Sequence, residues 1–104
     1  MIHLLYITVK NKEEARNIAA ALLVRGLIAC ANIISGVESL YHWQGELCDS
    51  QEVLLLAKTT EDKIPAVMDA VKAMHSYELP CIVAFPITSG LPAFLKWVAG
   101  EVEG

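Results

Sequence analysis

The sequence is short of nearly everything that would mark a familiar chemistry. Its three cysteines, Cys30, Cys48 and Cys81, are an odd number without paired spacing. A disulfide framework is therefore not expected, and reduced thiols in a cytoplasmic protein are. No apolar run approaches the roughly 20 residues that a membrane-spanning helix needs. The longest candidates, Ile18–Val24 and Val53–Ala57, are cut off by Arg25 and Lys58. The start, Met1-Ile2-His3-Leu4, lacks the charged region and cleavage site of a signal peptide. Basic residues are few and scattered: 8 Lys and Arg against 12 Asp and Glu give a net charge of −4 and a pI near 5.2. Nucleic acid demands a basic stripe, so no nucleic-acid partner is expected, and no membrane partner either. There is no phosphate-binding glycine loop, no dinucleotide fingerprint, no zinc-protease helix and no C-x-x-C. Ser35-Gly36 and Ser89-Gly90 lack the flanks of a nucleophile elbow. With no nucleophile–base pair to name, an enzyme is not expected.

What the chain has in excess is apolar surface. The 104 residues suit one domain, 1–104, and 55% of them are hydrophobic with only 19% charged. An ordinary soluble domain is about 45–50% apolar even with glycine counted, and one of this size buries only roughly two thirds of its unfolded surface. Part of the surplus is therefore expected on a face that meets another chain.

The pattern along the chain reads β-α-β-β-α-β-α. His3–Val9 is a buried strand. Asn11, with Glu14 three residues on, opens a helix whose stripe is Ala15, Ile18, Ala19, Leu22 and Leu23, and Gly26 closes it. Leu27–Ile34 is a second strand, kinked or bulged at Ser35-Gly36. It resumes from Val37 to Trp43 with Val37, Ser39, Tyr41 and Trp43 on one face. Gln44-Gly45-Glu46 reverses the chain into Leu47–Lys58, which polar Asp49-Ser50-Gln51 interrupts. A second helix follows Thr59-Thr60, with Thr59 and Asp62 at capping-box spacing, although Pro65 allows a later start. Cys81–Phe85 is the fourth strand and Pro92–Val98 a closing helix. Such split β-α-β units make an α+β, ferredoxin-like βαββαβ sheet with its helices on one face. The other face is left bare, and the long β2-β3 hairpin carries Leu40, Tyr41 and Trp43 without intrachain cover, suited to a subunit contact.

Candidate ligands for a soft or borderline cation such as copper or zinc are His3, His42, His75 and the three thiols, none at structural-zinc spacing. Cys30 and Cys81 read as buried small hydrophobes and Cys48 as the exposed thiol. His75, ending a helix beside Tyr77 and Glu78, is the better metal candidate, or else a capping residue on the helix dipole. Lys58, His75, Tyr77, Glu78 and Trp97 fall at element ends. They either line an intersubunit cleft for a ligand or make interface hydrogen bonds and ion pairs without one.

The run Ser39-Leu40-Tyr41-His42-Trp43-Gln44-Gly45 resembles the S-x-Y-x-W-x-G hairpin of the CutA divalent-cation tolerance proteins. Ala29-Cys30-Ala31-Asn32-Ile33, Glu52, Lys58-Thr59, His75-x-Tyr77-Glu78-x-Pro80, Gly90 and Leu95-x-Trp97 follow in the family's order, so the resemblance covers nearly the whole chain. It implies a ferredoxin-like fold, a cytoplasmic homotrimer joined by sheet edges, and an architecture similar to the PII trimers, which bind small ligands or partner proteins in clefts between subunits. It also implies a role in divalent-metal tolerance, with copper as a bound ion. The family's copper-binding members use a Cys ending the first strand and two His ending the second helix. The matching positions here are Ile7, Met74 and His75, which leaves His75 as the metal ligand with Met74 beside it. Ser76 stands in place of the usual Pro, and Phe94 where Tyr is common.

Overall fold

The computed structural model describes residues 1–102. Strand β1 (Ile2–Val9) lies at the centre of a four-stranded antiparallel sheet of order β2-β3-β1-β4, with β2 (Cys30–Trp43), β3 (Glu46–Thr60) and β4 (Ile82–Pro86). Helices α1 (Lys12–Val24) and α2 (Ile64–Met74) follow β1 and β3, and α3 (Pro92–Glu101) closes the described chain. This is the ferredoxin-like arrangement that the split β-α-β pattern predicts.

Strand alternation decides which residues meet the helices. Leu5, Ile7 and Val9 of β1 and Val53, Leu55 and Ala57 of β3 form one face, in register as Leu5↔Ala57, Ile7↔Leu55 and Val9↔Val53. Against them α1 packs Ala15, Ile18, Ala19 and Leu22, and α2 packs Val67, Ala70 and Val71. The opposite face carries Leu4, Tyr6, Leu54 and Leu56, flanked by Ile34, Val83 and Phe85, and the last three are exposed. Tyr6 stacks on Phe85 across the β1–β4 pair, ring centroids 6.4 Å apart. No helix among the described residues is long and apolar enough to cross a membrane.

Local signals act where the sequence puts them. The Asn11 side chain accepts from the Glu14 amide at 2.8 Å, capping α1. Gly26, at φ +69, ends that helix in a Schellman motif: its amide donates to the Leu23 carbonyl and that of Leu27 to Leu22, each at 3.0 Å. Leu27 is used in this way, which is why β2 begins at Cys30 and not at Leu27. The bulge falls between Ile34 and Val37, which pair with Leu54 and Glu52, and Gly36 takes φ +87 there. Gln44 and Gly45, at φ 50 and 82, make the two-residue primed turn that matches strand twist. Beyond the bulge, β2 and β3 run together from the Val37↔Glu52 pair to Trp43↔Glu46, so the polar stretch 49–51 interrupts nothing. This projecting ribbon stretches the molecule to 44 × 26 × 22 Å, with a radius of gyration of 14.2 Å against about 13 Å for a compact chain of about 100 residues.

Thr59 departs from its predicted capping role. It belongs to β3, fully buried, and its hydroxyl donates to the Leu27 carbonyl at 2.7 Å. A 3-10 turn, Glu61–Lys63, precedes α2, and Pro65 sits in the first turn of the α-helix, where a missing N–H does no harm. Thr59→Val keeps the shape and strips the buried Leu27 carbonyl of this donor. It should cost about 1–2 kcal/mol, read as a lower urea midpoint with an unchanged slope.

Candidate functional site

Past the bulge, the open side of the sheet faces a concavity of about 680 Å³ between the projecting ribbon and the segment 77–81. Its floor is Tyr6, Thr8 and Glu52, which alternation places on the side away from α1 and α2. Tyr41 and Trp43 form one wall, Tyr77 and Glu78 the other. Thr8 and Glu52 are each only 8% exposed, polar side chains set low on the open face.

The wall after α2 is held by three consecutive residues, each tied to a different element. His75 leaves the helix in extended conformation, φ −73 and ψ 139, and is buried. Its Nδ1 accepts from the Tyr77 amide at 3.0 Å, so the ring proton sits on Nε2, which donates to the Thr8 carbonyl of β1 at 2.8 Å. The Ser76 amide donates to Glu14 Oε2 of α1 at 2.9 Å, while Glu14 Oε1 accepts from the Lys10 amide at 3.3 Å. The Tyr77 hydroxyl donates to Glu52 Oε2 of β3 at 2.9 Å. Burial, then the hydrogen bond to Glu52 and its charge, raise the Tyr77 phenol well above the ordinary tyrosine value. Tyr77 is thus a neutral donor at any physiological pH. For Glu14, partial burial works against ionisation. Hydrogen bonds from Ser76 and Lys10 outweigh it, so its pKa is held below the ordinary carboxylate value.

Of the cleft candidates, Tyr77 and Glu78 come together here with the hairpin residues Leu40, Tyr41 and Trp43. Lys58 does not join them. It lies on the open face, where its Nζ donates to Asn32 Oδ1 at 2.6 Å. Trp97 packs against Phe94 on α3, ring centroids 5.7 Å apart, and both rings are exposed. Leu40, Tyr41 and Trp43 are 73%, 42% and 40% exposed, the uncovered tip that the pattern predicts. The thiols reverse their expected order: Cys81 is exposed, while Cys30 and Cys48 are half-buried.

The donor set read from sequence for a metal does not fit as placed. Both ring nitrogens of His75 are engaged, one as acceptor and one as donor, so no lone pair is left for a cation. Met74 borders a separate depression beside Lys10 and Glu14. Among the described residues no three His, Cys, Asp or Glu side chains gather as a metal cluster. Thr8 was missing from the sequence reading, and Glu52 entered it only as a matched position. The available signal was faint: Thr8 lies near the end of an apolar strand, and Glu52 is the last residue of a polar stretch before the apolar run Val53–Ala57.

Glu14→Gln tests the latch. A group whose pKa is depressed on folding stabilises the fold above its unfolded value, and that contribution is lost as pH falls through the folded value. The variant should be less stable than wild type at neutral pH. The gap should close as pH drops below the ordinary glutamate value of 4.5, followed by thermal melts across a pH series. A gap independent of pH would count against the charged latch.

Residues 3–101 match the family described as CutA1 divalent ion tolerance protein. The divalent-cation tolerance protein CutA of Thermus thermophilus is 47% identical over 98 residues, spanning 94% of this chain and 95% of the relative. Its counterpart in Archaeoglobus fulgidus is 44% identical over 103 residues, 99% and 100% of the two chains. The solved structure of the Thermus thermophilus divalent cation tolerance protein superposes with a TM-score of 0.96 at 45% identity, covering 99% of this chain and 100% of that one. That of the periplasmic divalent cation tolerance protein CutA from Archaeoglobus fulgidus gives 0.95 at 44%, covering 99% and 100%. Matching in sequence from one end to the other and in the course of its backbone, the chain belongs to the CutA divalent-cation tolerance family.

Proposed function

We propose that the chain acts in divalent-cation tolerance without catalysing a reaction, as a cytoplasmic homotrimer that meets copper or a similar ion weakly and between subunits. The observation that carries this reading is the bare side of the sheet. Leu4, Tyr6, Leu54 and Leu56, half-buried, and Val83 and Phe85, exposed, form an apolar surface prolonged by exposed Tyr41 and Trp43 on the ribbon, which one chain covers only in part. Apolar surface of this extent favours a second protein surface over water. The engaged nitrogens of His75 argue against a cation held inside one chain. The free thiols Cys30, Cys48 and Cys81 suit a reducing compartment.

Equilibrium sedimentation should return three times the 11.4 kDa chain mass; a monomer at micromolar concentration overturns the assembly. Trp43→Glu should weaken the oligomer while the far-ultraviolet dichroism of the fold persists. Isothermal titration with Cu(II) and with Zn(II) should give weak heats that are the same for wild type and His75→Ala. Binding lost in His75→Ala alone would restore the histidine as the ligand.

The concavity favours a second reading, a module that holds a small organic ligand, similar in kind to PII proteins. Its volume lies within the roughly 300–1,000 Å³ of ligand pockets, and its aromatic walls hold a few polar groups at the floor. Thermal-shift screening of metabolites should find compounds that raise the melting temperature in proportion to log concentration. A screen without any such compound counts against it.

A further inference from the structure

We propose that the concavity is a socket for a second copy of this chain: α3 of the neighbouring subunit enters it, sets Phe94 and Trp97 against Tyr41 and Trp43, and brings Lys96 to Glu52 and Glu78. The inference rests on the homotrimer reading, whose contact surfaces it names. It is the alternative to a small ligand in the same place.

The receiving side has a charge to settle. Glu52 and Glu78 stand among the aromatic walls of the concavity, and no lysine, arginine or histidine borders it. Within the chain Glu52 engages only Oε2, which accepts from the Tyr77 hydroxyl. A purely apolar surface laid over these carboxylates would strip them of water and return nothing, which is costly. Whatever covers this side of the ribbon must therefore bring a cation as well as rings.

The chain offers one surface with both. Its exposed aromatic rings are Tyr41 and Trp43 on the ribbon, Phe85 on β4, and Phe94 and Trp97 on α3. The ribbon is the receiver, and β4 carries no charged residue. Helix α3 buries Val98 against its own chain and leaves Phe94 and Trp97 outside, their ring centroids 5.7 Å apart. Lys96, exposed, stands next to Trp97. The remaining bases are placed otherwise. Lys10, Lys12, Arg16 and Arg25 lie on or beside α1, and Lys63 and Lys72 on or beside α2, two helices without an aromatic residue. Lys58 is held on the open face by Asn32. Charge and rings together thus single out α3. A lysine carried in beside a tryptophan can meet a carboxylate with its ammonium group while its stem covers apolar surface.

The test reads assembly in the full chain. Subunit exchange is followed between two batches of the protein carrying different fluorescent labels. Lys96→Glu, at an exposed position, should keep the dichroism of the fold and speed exchange about tenfold or more, because losing a covered charge pair acts mainly on dissociation. Lys96→Glu combined with Glu78→Lys, which trades the two charges, should bring the rate back toward wild type. Trp43→Glu spoils the socket and Trp97→Glu the helix that enters it. Mixed at a concentration where each alone is dissociated, these two variants still own one intact socket and one intact helix between them, so a two-chain complex should sediment. Wild-type exchange rates in both Lys96→Glu and Trp97→Glu overturn the assignment of α3 and leave the trimer standing, as does failure of the mixed variants to associate. A wild-type chain that sediments as a monomer overturns both.

Discussion

Side chains in an antiparallel pair stay on their appointed face only while the two strands keep step, and at Ser35-Gly36 they do not. One extra residue in β2 inverts its alternation. Before the bulge, Cys30, Asn32 and Ile34 share the open face with Lys58, Leu56 and Leu54. After it, the odd-numbered residues Val37, Ser39, Tyr41 and Trp43 take over that face. Without the bulge, Glu38, Leu40 and His42 would stand there, and the aromatic wall would turn away from Thr8 and Glu52. The bare sheet face and the ribbon form one continuous surface because of this single irregularity. Gly36 permits it, since φ +87 is strained for residues with a side chain.

The second determinant is the latch after α2. His75, Ser76 and Tyr77 bind β1, α1 and β3 in turn, so a segment without regular structure is fixed by three elements at once. The family pattern has proline where Ser76 stands. A proline has no amide proton to give, so the bond from Ser76 to Glu14 depends on this departure. In return, the serine sacrifices the rigidity that a fixed φ confers. Glu14 consequently serves two places: the Lys10 amide at the mouth of its own helix and the segment that walls the concavity.

What could be read from sequence was what chemistry settles within a few residues. Asn11 with Glu14, Gly26, Gln44-Gly45 and the Ser35-Gly36 bulge each announce a local geometry, and β-α-β-β-α-β-α order followed from periodicity. Readings failed where the deciding partner is distant. Thr59 has the spacing of a cap, but burial against Leu27, 32 positions away, outbids the local option. Cys81 sits in apolar company and is nevertheless exposed, because it immediately precedes β4, the strand at one edge of the sheet among the described residues. His75 looks like a free ligand until Thr8, 67 positions earlier, engages its ring. The pairing of Thr8 with Glu52 as a polar floor required the β1–β3 register, which no local pattern encodes.

One chain displays two aromatic patches that have no resemblance to each other. Tyr41 and Trp43 stand on a thin ribbon, and Phe94 and Trp97 on a helix. When unlike patches cover one another, each copy gives one and receives the other, so the contact is head-to-tail. A twofold axis cannot satisfy it, because such an axis presents a patch to itself. The choice is then between a ring and an endless fibre, decided by the rotation from copy to copy. For a protein built this way, a small change in the pitch of the ribbon alters how many copies close the circle, or whether it closes at all.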